Sequence, residues 1–460
     1  MSASGRTEPA PLIWSLALLA VAIAELVLQE GYFRFATSSI GLLALMASAV
    51  FVTVADAWVR RFAREPRAKL LQRLLFVFSA LVAGYWLIGP HLAGLWERHP
   101  QAAPWAAGAG LLIILVLSLR FAADGWARLR LALCVASFLF VASEPVLGAL
   151  RAKDGVWPPG FQANDAVVDA GRVATIVFLL DELNARNSTP IIEVLRRQGL
   201  QVAIKAVPSI GDSTARVLPS MFTGQLFHDA RPCGLKTICS ANQALDFSRI
   251  SATRPDVDVV GFYHPYCAIK GLRTCVRPAV ELAVFSLSRW QCGLWRRFGL
   301  PLGVDASSCR ATGVGVWGSL TDRVLAGVSQ SPALTVGGVL FAHLPLPHPP
   351  GHSDDGALAQ HYDANLLRAA AAVEQTLKKA AGNGLALRVV IFSDHPLRQP
   401  AWCRGYPGLF TGPCAPVDRL LDDKVPLIVA GATTPDLSTH STNLNAFALM
   451  AGWLGQAVAR

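Results

Sequence analysis

The feature that most constrains this chain is a series of long apolar runs confined to its first 150 residues. Five of them, at about 11–28, 39–57, 74–90, 104–119 and 131–149, approach the roughly 20 residues a helical membrane span requires. The composition agrees: charged residues make up only 16% of the chain, against about 25% in an ordinary soluble protein. The loops between the runs set an orientation. Arg60, Arg61, Arg64, Arg67 and Lys69 lie between the second and third runs, and Arg120, Arg128 and Arg130 between the fourth and fifth. The other two loops carry only Arg34 and Arg98. Positive loops stay cytoplasmic, so the N-terminus is expected inside and everything after about residue 150 outside. The net charge of +10 is then explained by topology and anionic headgroups. No zinc-finger spacing, basic helix or aromatic-basic RNA motif points to nucleic acid. Glu25 and Asp56 fall within the runs. They face either a headgroup cavity or the solvated interfaces.

The cysteines fit an outer domain. Of nine Cys, only Cys134 lies in a predicted span. Cys233, Cys239, Cys267, Cys275, Cys292, Cys309, Cys403 and Cys414 all follow residue 150, which suggests a disulfide framework. Nearest neighbours in order would pair as 233–239, 267–275, 292–309 and 403–414. A cysteine-rich zinc site is disfavoured because no C-x-x-C occurs.

Residues 151–171, with Trp157-Pro158-Pro159-Gly160, read as a linker, and 172–460 as a globular domain. The run Val173–Leu180 is short, continuous and rich in β-branched residues, as in strands buried on both faces. Further strands are expected at 202–207, 257–262, 338–342, 387–392 and 425–430. Helices are expected at 190–198, 215–222, 362–380 and 443–455. This alternation predicts an α/β domain with a mostly parallel sheet flanked by helices. Ligands bind such sheets beyond the carboxyl ends of the strands.

The candidate chemistry lies at those ends. The first strand runs into Asp181-Glu182, and the strand at 387–392 into Ser393-Asp394-His395. Carboxylates and an imidazole form a plausible metal-ligand set. Between them comes Thr214-Ala215-Arg216-Val217-Leu218-Pro219-Ser220-Met221-Phe222. A hydroxyl at a helix start is either an N-cap or a nucleophile, and a bound cation lowers the pKa of such a hydroxyl.

The order Asp181-Glu182, Thr214 with Pro219 and Thr223-Gly224, then Ser393-Asp394-His395 resembles the sulfatase-type branch of the alkaline phosphatase superfamily. With five spans in front of it, the chain resembles the membrane-anchored phosphoethanolamine transferases of Gram-negative bacteria. The segments His343-Leu-Pro-Leu-Pro-His348-Pro349 and Tyr362-Asp363-Ala364-Asn365 also fit that pattern. The resemblance implies a divalent metal, zinc in first place, held by Asp181 or Glu182 together with Thr214, Asp394 and His395. The choice between the two acids is open. It implies Thr214 as nucleophile and His348 on the phosphate oxygens or leaving group. His343 binds substrate or is a core histidine. The sequence departs from the family after Asp394-His395, where Pro396-Leu397-Arg398-Gln399 replaces the usual continuation. The family places a further active-site histidine a short way downstream, where the next histidine of this chain is His440. His264, after the strand at 257–262, is another candidate for that side of the pocket, and each has a structural role as the alternative.

The expected activity is transfer of a phosphoethanolamine-like substituent from a lipid donor to an envelope lipid or glycan. The expected location is the bacterial inner membrane, with a monomer whose catalytic domain is periplasmic. A hydrolase using water at the same site is the second reading. A sulfatase is disfavoured because Thr214 is followed by Ala215-Arg216-Val217 rather than the Cys-x-Pro-x-Arg pattern. A non-catalytic envelope-binding protein is the third. The topology has a direct test. A reporter active only outside the cytoplasm is expected to work when fused after residue 150 or residue 35, and to fail near Arg64. Equal activity at Arg64 rejects the five-span arrangement.

Overall fold

A strand with apolar side chains on both faces must be covered on both faces. Val173–Leu180 meets that condition, since every residue from Ala174 onward is buried. The structure, a computed structural model, describes residues 152–157, 173–234, 236–240, 243–252, 254–278, 306–351, 356–405, 410–411 and 417–446. The five expected spans, most of the expected linker and the end of the expected helix 443–455 lie outside the described residues. Among the described residues no helix is long and apolar enough to cross a membrane. The chain divides into two units, Met1–Leu147 and Gly148–Arg460; the second is described below.

In chain order its elements are β1 (Ala152–Trp157), β2 (Val173–Leu180), α1 (Thr189–Arg197), β3 (Gln201–Pro208), α2 (Thr214–Thr223), β4 (Arg231–Pro232), β5 (Thr237–Cys239), β6 (Ala244–Ala252), β7 (Val257–Val260), β8 (Thr274–Val276), α3 (Ala306–Gln330), β9 (Gly338–Leu344), α4 (Leu358–Gly382), β10 (Ala386–Ser393), α5 (Gln399–Gly405) and β11 (Lys424–Gly431). A seven-stranded sheet runs β3-β11-β10-β2-β9-β7-β8. β2 is parallel to both β10 and β9, and β7 is parallel to β9 and β8. Only β11 is reversed, antiparallel to β10 and β3. The mostly parallel sheet expected from the sequence is therefore present with one reversed strand. The carboxyl ends of β2, β3, β7, β9 and β10 share one edge.

Ala174, Ile176, Phe178 and Leu180 of β2 pack in one cluster with Ile191 and Leu195 of α1, Leu320 and Val324 of α3, and Val373 and Leu377 of α4. Val177 and Leu179 on the opposite face are buried as well. Helix α3 was not expected. Its Gly313, Gly315, Gly318 and Gly327 lower helix propensity by about 1 kcal/mol each relative to Ala. Gly327 shows why packing overrides propensity here: a Cβ at that position would lie 2.8 Å from Val276 Cγ1. The glycine lets α3 settle directly on β7 and β8.

A second, four-stranded sheet has the order β1-β6-β5-β4. Its first strand corrects one expectation: Ala152–Trp157, read as the start of a linker, pairs in parallel with β6. Disulfides join Cys233 to Cys239 and Cys267 to Cys275, as expected. Cys309 and Cys403 are also disulfide-bonded; their expected partners, Cys292 and Cys414, lie outside the described residues.

Asp258 of β7 ties the far side of the sheet together. It is fully buried and accepts from Arg273 Nε at 2.9 Å and Nη2 at 2.7 Å, Thr274 Oγ1 at 2.9 Å, Ser331 Oγ at 2.7 Å and the Ala333 amide at 2.8 Å. Burial alone would raise this carboxyl, but these donors hold it below its ordinary range. Removing one member of a buried pair strands the other. Asp258→Ala is therefore expected to cost about 3 kcal/mol, measured by chemical denaturation. A loss below about 1 kcal/mol would place the pair among those worth little, like exposed ones.

Candidate functional site

The parallel pairing of β10 with β2 sets Ser393 opposite Leu180. The residues that follow, Asp394-His395 and Asp181-Glu182, therefore leave the sheet side by side. Backbone bonds fix the junction. The Asp181 amide donates to the Leu344 carbonyl at 3.2 Å, the Glu182 amide to Asp394 Oδ1 at 3.3 Å, and the Leu183 amide to Ser393 Oγ at 2.9 Å. The His395 amide also donates to Asp394 Oδ1, at 2.8 Å.

The loop after β3 brings in the hydroxyl. Ser209 Oγ and Asn443 Nδ2 each donate to the Asp394 carbonyl at 2.7 Å, and the Ile210 amide donates to Asn443 Oδ1 at 3.0 Å. These bonds moor the loop to the end of β10. The N-cap of α2 is Ser213, so Thr214 is not the cap. Thr214 Oγ1 instead donates to Asp394 Oδ2 at 2.6 Å. His395 Nε2 lies 3.4 Å from Asp394 Oδ2 and 3.8 Å from Asp181 Oδ1. Asp181, Asp394 and His395 each offer a ligand atom within 4.8 Å of the others, and all three are buried. Asp181 Oδ1 is buried without a hydrogen-bond partner. An orphaned carboxylate oxygen facing a second carboxylate, an imidazole and a hydroxyl suits a divalent cation.

The electrostatics agree with the geometry. Burial, then the charges of Asp394 and Glu182, push the Asp181 carboxyl well above its usual range. Burial would also raise Asp394, but His395, His343 and the Thr214 hydrogen bond outweigh it and hold that carboxyl down. A cation here would favour the ionised form of both acids.

The remaining sequence candidates have distinct places. Glu182 is fully buried with φ +63°; it is not one of the three grouped ligands, though its Oε1 lies 3.9 Å from His395 Nδ1. Trp402 Nε1 donates to Glu182 Oε2 at 2.7 Å, and Arg398 Nε lies 3.4 Å from Oε1. His343 Nδ1 meets the Tyr266 hydroxyl at 2.8 Å, while its Nε2 is buried without a partner. Gly261 makes that contact possible, since a Cβ there would lie 2.7 Å from the Tyr266 ring. His264 Nε2 lies 3.2 Å from the Thr214 carbonyl, and its ring stacks on Phe247. His348 sits between Trp317 and Trp402, with ring centroids at 4.5 and 4.6 Å, and its Nδ1 has no partner. Burial depresses His264 and His343 to about 3 and His348 to about 4. His440 bonds at Thr439 and the Leu437 carbonyl rather than in this cluster.

Sequence reasoning missed several supports. Trp402, Ser209 and Asn443 reach the site from distant segments, and nothing in their local sequence marks them. Tyr362 and Asn365 were noted as a motif, and their roles are now visible. The Tyr362 hydroxyl donates to the Glu182 carbonyl at 3.0 Å and accepts from the Asn184 amide at 3.1 Å. Asn365 Nδ2 donates to the His348 carbonyl at 2.6 Å.

No family model matches the chain, and no curated protein matches it. Among solved structures it is similar to lipooligosaccharide phosphoethanolamine transferase A (EptA), an integral membrane protein of Neisseria meningitidis. The identity is 15%, the match covers 95% of this chain and 94% of that chain, and the TM-score is 0.39.

The orphaned Asp181 oxygen yields a direct prediction. Adding zinc ion to the chelator-treated full chain, at about a hundred times its Kd, should stabilise the fold by about 2.7 kcal/mol. Asp394→Ala and His395→Ala should each abolish the shift in melting temperature. A shift that survives both substitutions locates the ion elsewhere.

Proposed function

We propose that the chain is a membrane-bound, metal-dependent transferase with a sulfatase-like catalytic domain, moving a phosphoethanolamine-like group through a covalent intermediate on Thr214. The observation that carries this reading is the Thr214 hydroxyl, 2.6 Å from Asp394 Oδ2 at the first turn of α2, within the Asp181–Asp394–His395 group. Asp181, Asp394, His395 and Thr214 would hold the divalent metal, with zinc the expected ion. A bound metal of this kind lowers the pKa of the hydroxyl and offsets charge on the phosphoryl oxygens.

The chain's own groups do the rest. Asp394 orients Thr214 Oγ1, and the α2 N-terminus adds its positive dipole to the attacked group. Oγ forms a bond to phosphorus as the bond from phosphorus to the lipid alcohol breaks. The proton lost from Thr214 Oγ1 balances the one the departing oxygen requires. An acceptor hydroxyl or phosphate then displaces Thr214 and restores its proton. His348, with its buried unpartnered Nδ1, is the candidate contact for the phosphate oxygens or leaving group. His343 and His264 stand beneath the site as neutral hydrogen-bonding groups.

The sequence supports the location. Five apolar runs with alternating positive loops suit residues 1–150 as a membrane unit in the bacterial inner membrane, followed by a periplasmic domain at 172–460. Disulfides at Cys233–Cys239 and Cys267–Cys275 suit an oxidising compartment. A lipid donor and an envelope lipid or glycan acceptor are the partners such a placement favours.

Thr214 supplies the test. Thr214→Ala should lower turnover by at least about a thousandfold, as loss of a nucleophile does, while metal content and melting temperature hold. Thr214→Ser should keep part of the activity, because a positioned hydroxyl remains. Mass spectrometry of the peptide spanning 212–224 should find a phospho-adduct on Thr214. Near-normal turnover by folded Thr214→Ala rejects the mechanism. Release of the free headgroup without an acceptor product would mark a hydrolase.

A further inference from the structure

Three carboxylates, Asp181, Glu182 and Asp394, are buried at one end of the sheet. Two belong to the candidate metal group, and the third does not. Glu182 Oε2 accepts from the Trp402 indole, and its Oε1 accepts from Arg398 Nε and lies 3.9 Å from His395 Nδ1. An arginine also carries donors on both terminal nitrogens. Among the described residues nothing accepts from those terminal nitrogens, and Glu182 is the one ion-pair partner of Arg398. Its side chain is 38% exposed, so the outer end of the guanidinium is not sealed in the protein. Glu182, Asp181, Asp394 and Asp212, which lies two residues before Thr214, all act on it electrostatically. Arg398 thus reaches the metal group through Glu182, whose Oε1 lies 3.4 Å from Arg398 Nε and 3.9 Å from His395 Nδ1.

Charge counting gives this placement a purpose. Three ionised carboxylates and one divalent ion leave a net charge of −1. A phosphodiester, itself anionic, would enter against that charge. The fixed charge of Arg398 brings the site to neutrality. A guanidinium also matches the spacing of phosphoryl oxygens better than a point charge does.

We propose that Arg398 is the second cation of the site, anchored through Nε by Glu182 and binding the non-bridging oxygens of the phosphoryl group with its terminal nitrogens. The inference rests on the phosphoryl-transfer reading above. It gives the consecutive acids separate tasks: Asp181 faces the metal group and Glu182 holds the anion clamp.

The competing role is structural, with Arg398 serving only to neutralise Glu182. Inorganic phosphate separates the two roles without turnover. Its affinity is measured by calorimetry on the zinc-loaded full chain in detergent, with zinc content measured alongside. Arg398→Gln should weaken phosphate binding by about tenfold or more, the range of a lost charge-assisted hydrogen bond, with zinc content unchanged. Arg398→Lys should recover part of the affinity. The double variant Glu182→Gln/Arg398→Gln, which removes both charges of the pair, should stay as weak as Arg398→Gln. Unchanged affinity in Arg398→Gln, loss of zinc with the phosphate, or recovery in the double variant overturns the proposal. In each of those cases the wild-type chain still binds phosphate, so the transfer reading survives. Wild-type chain that binds zinc but no phosphate overturns both.

Discussion

The site depends on one pairing register. β2 and β10 lie parallel with Leu180 opposite Ser393, and this brings Asp181 and Asp394 together. A slip of one residue would invert the faces of β10. That slip is blocked from both sides. Val389 and Ile391 of β10 belong to the same core as Ile176 and Phe178 of β2, and β10 is also paired to β11. Hydrophobic packing thus sets the position of two carboxylates it never touches. Their burial is costly unless each oxygen is satisfied. Asp394 accepts from Thr214, His395 and the Glu182 amide. Asp181 Oδ1 is left without a partner, and the cost of that atom is where the site departs from an ordinary core.

Glu182 shows how adjacent acids acquire different surroundings. Its φ of +63° is a left-handed conformation that costs a non-glycine residue about 1–3 kcal/mol. Neighbouring bonds over-determine it. Tyr362 holds the Glu182 carbonyl and the Asn184 amide, Asn184 Oδ1 accepts from the Leu397 amide at 2.7 Å, and Asn184 Nδ2 donates to the Leu420 carbonyl at 2.7 Å. The Glu182 carboxylate then meets Trp402 and Arg398 while Asp181 remains with the group. Segments from three parts of the chain are needed to hold this one turn.

That turn also marks where sequence reasoning ran out. The strands expected at 173–180, 202–207, 387–392 and 425–430 were legible because each is a short, mostly apolar run, continuous in the first and interrupted by single charges at Lys205 and Arg388. The positions of Asp181, Thr214, Asp394 and His395 followed, since each lies just beyond a legible element or at the start of one. The choice between Asp181 and Glu182 was not legible, because it depends on a backbone angle held by residues about 180 to 240 positions away. Trp402 and Asn443 were hidden for the same reason. Helix α3 was hidden by its glycines, one of which serves close packing rather than flexibility. The small sheet was hidden because β4 and β5 are only two and three residues long.

The histidines complete the electrostatic argument. His264, His343 and His348 are pressed below the physiological range first by burial, so at neutral pH they carry no charge. They can shape the pocket and donate or accept hydrogen bonds, but they do not offset the carboxylates. Fixed positive charge at this end of the sheet comes from Arg398 beside Glu182 and from Arg277, which acts on His264 and Tyr266; an ion among Asp181, Asp394 and His395 would add to it. Neither source replaces the other. An ion held there would lie beside the orphaned Asp181 oxygen, whereas Arg398 pairs with Glu182. A phosphoryl group entering beside the Thr214 hydroxyl would have its charge offset by both sources, which is the electrostatic support phosphoryl transfer depends on.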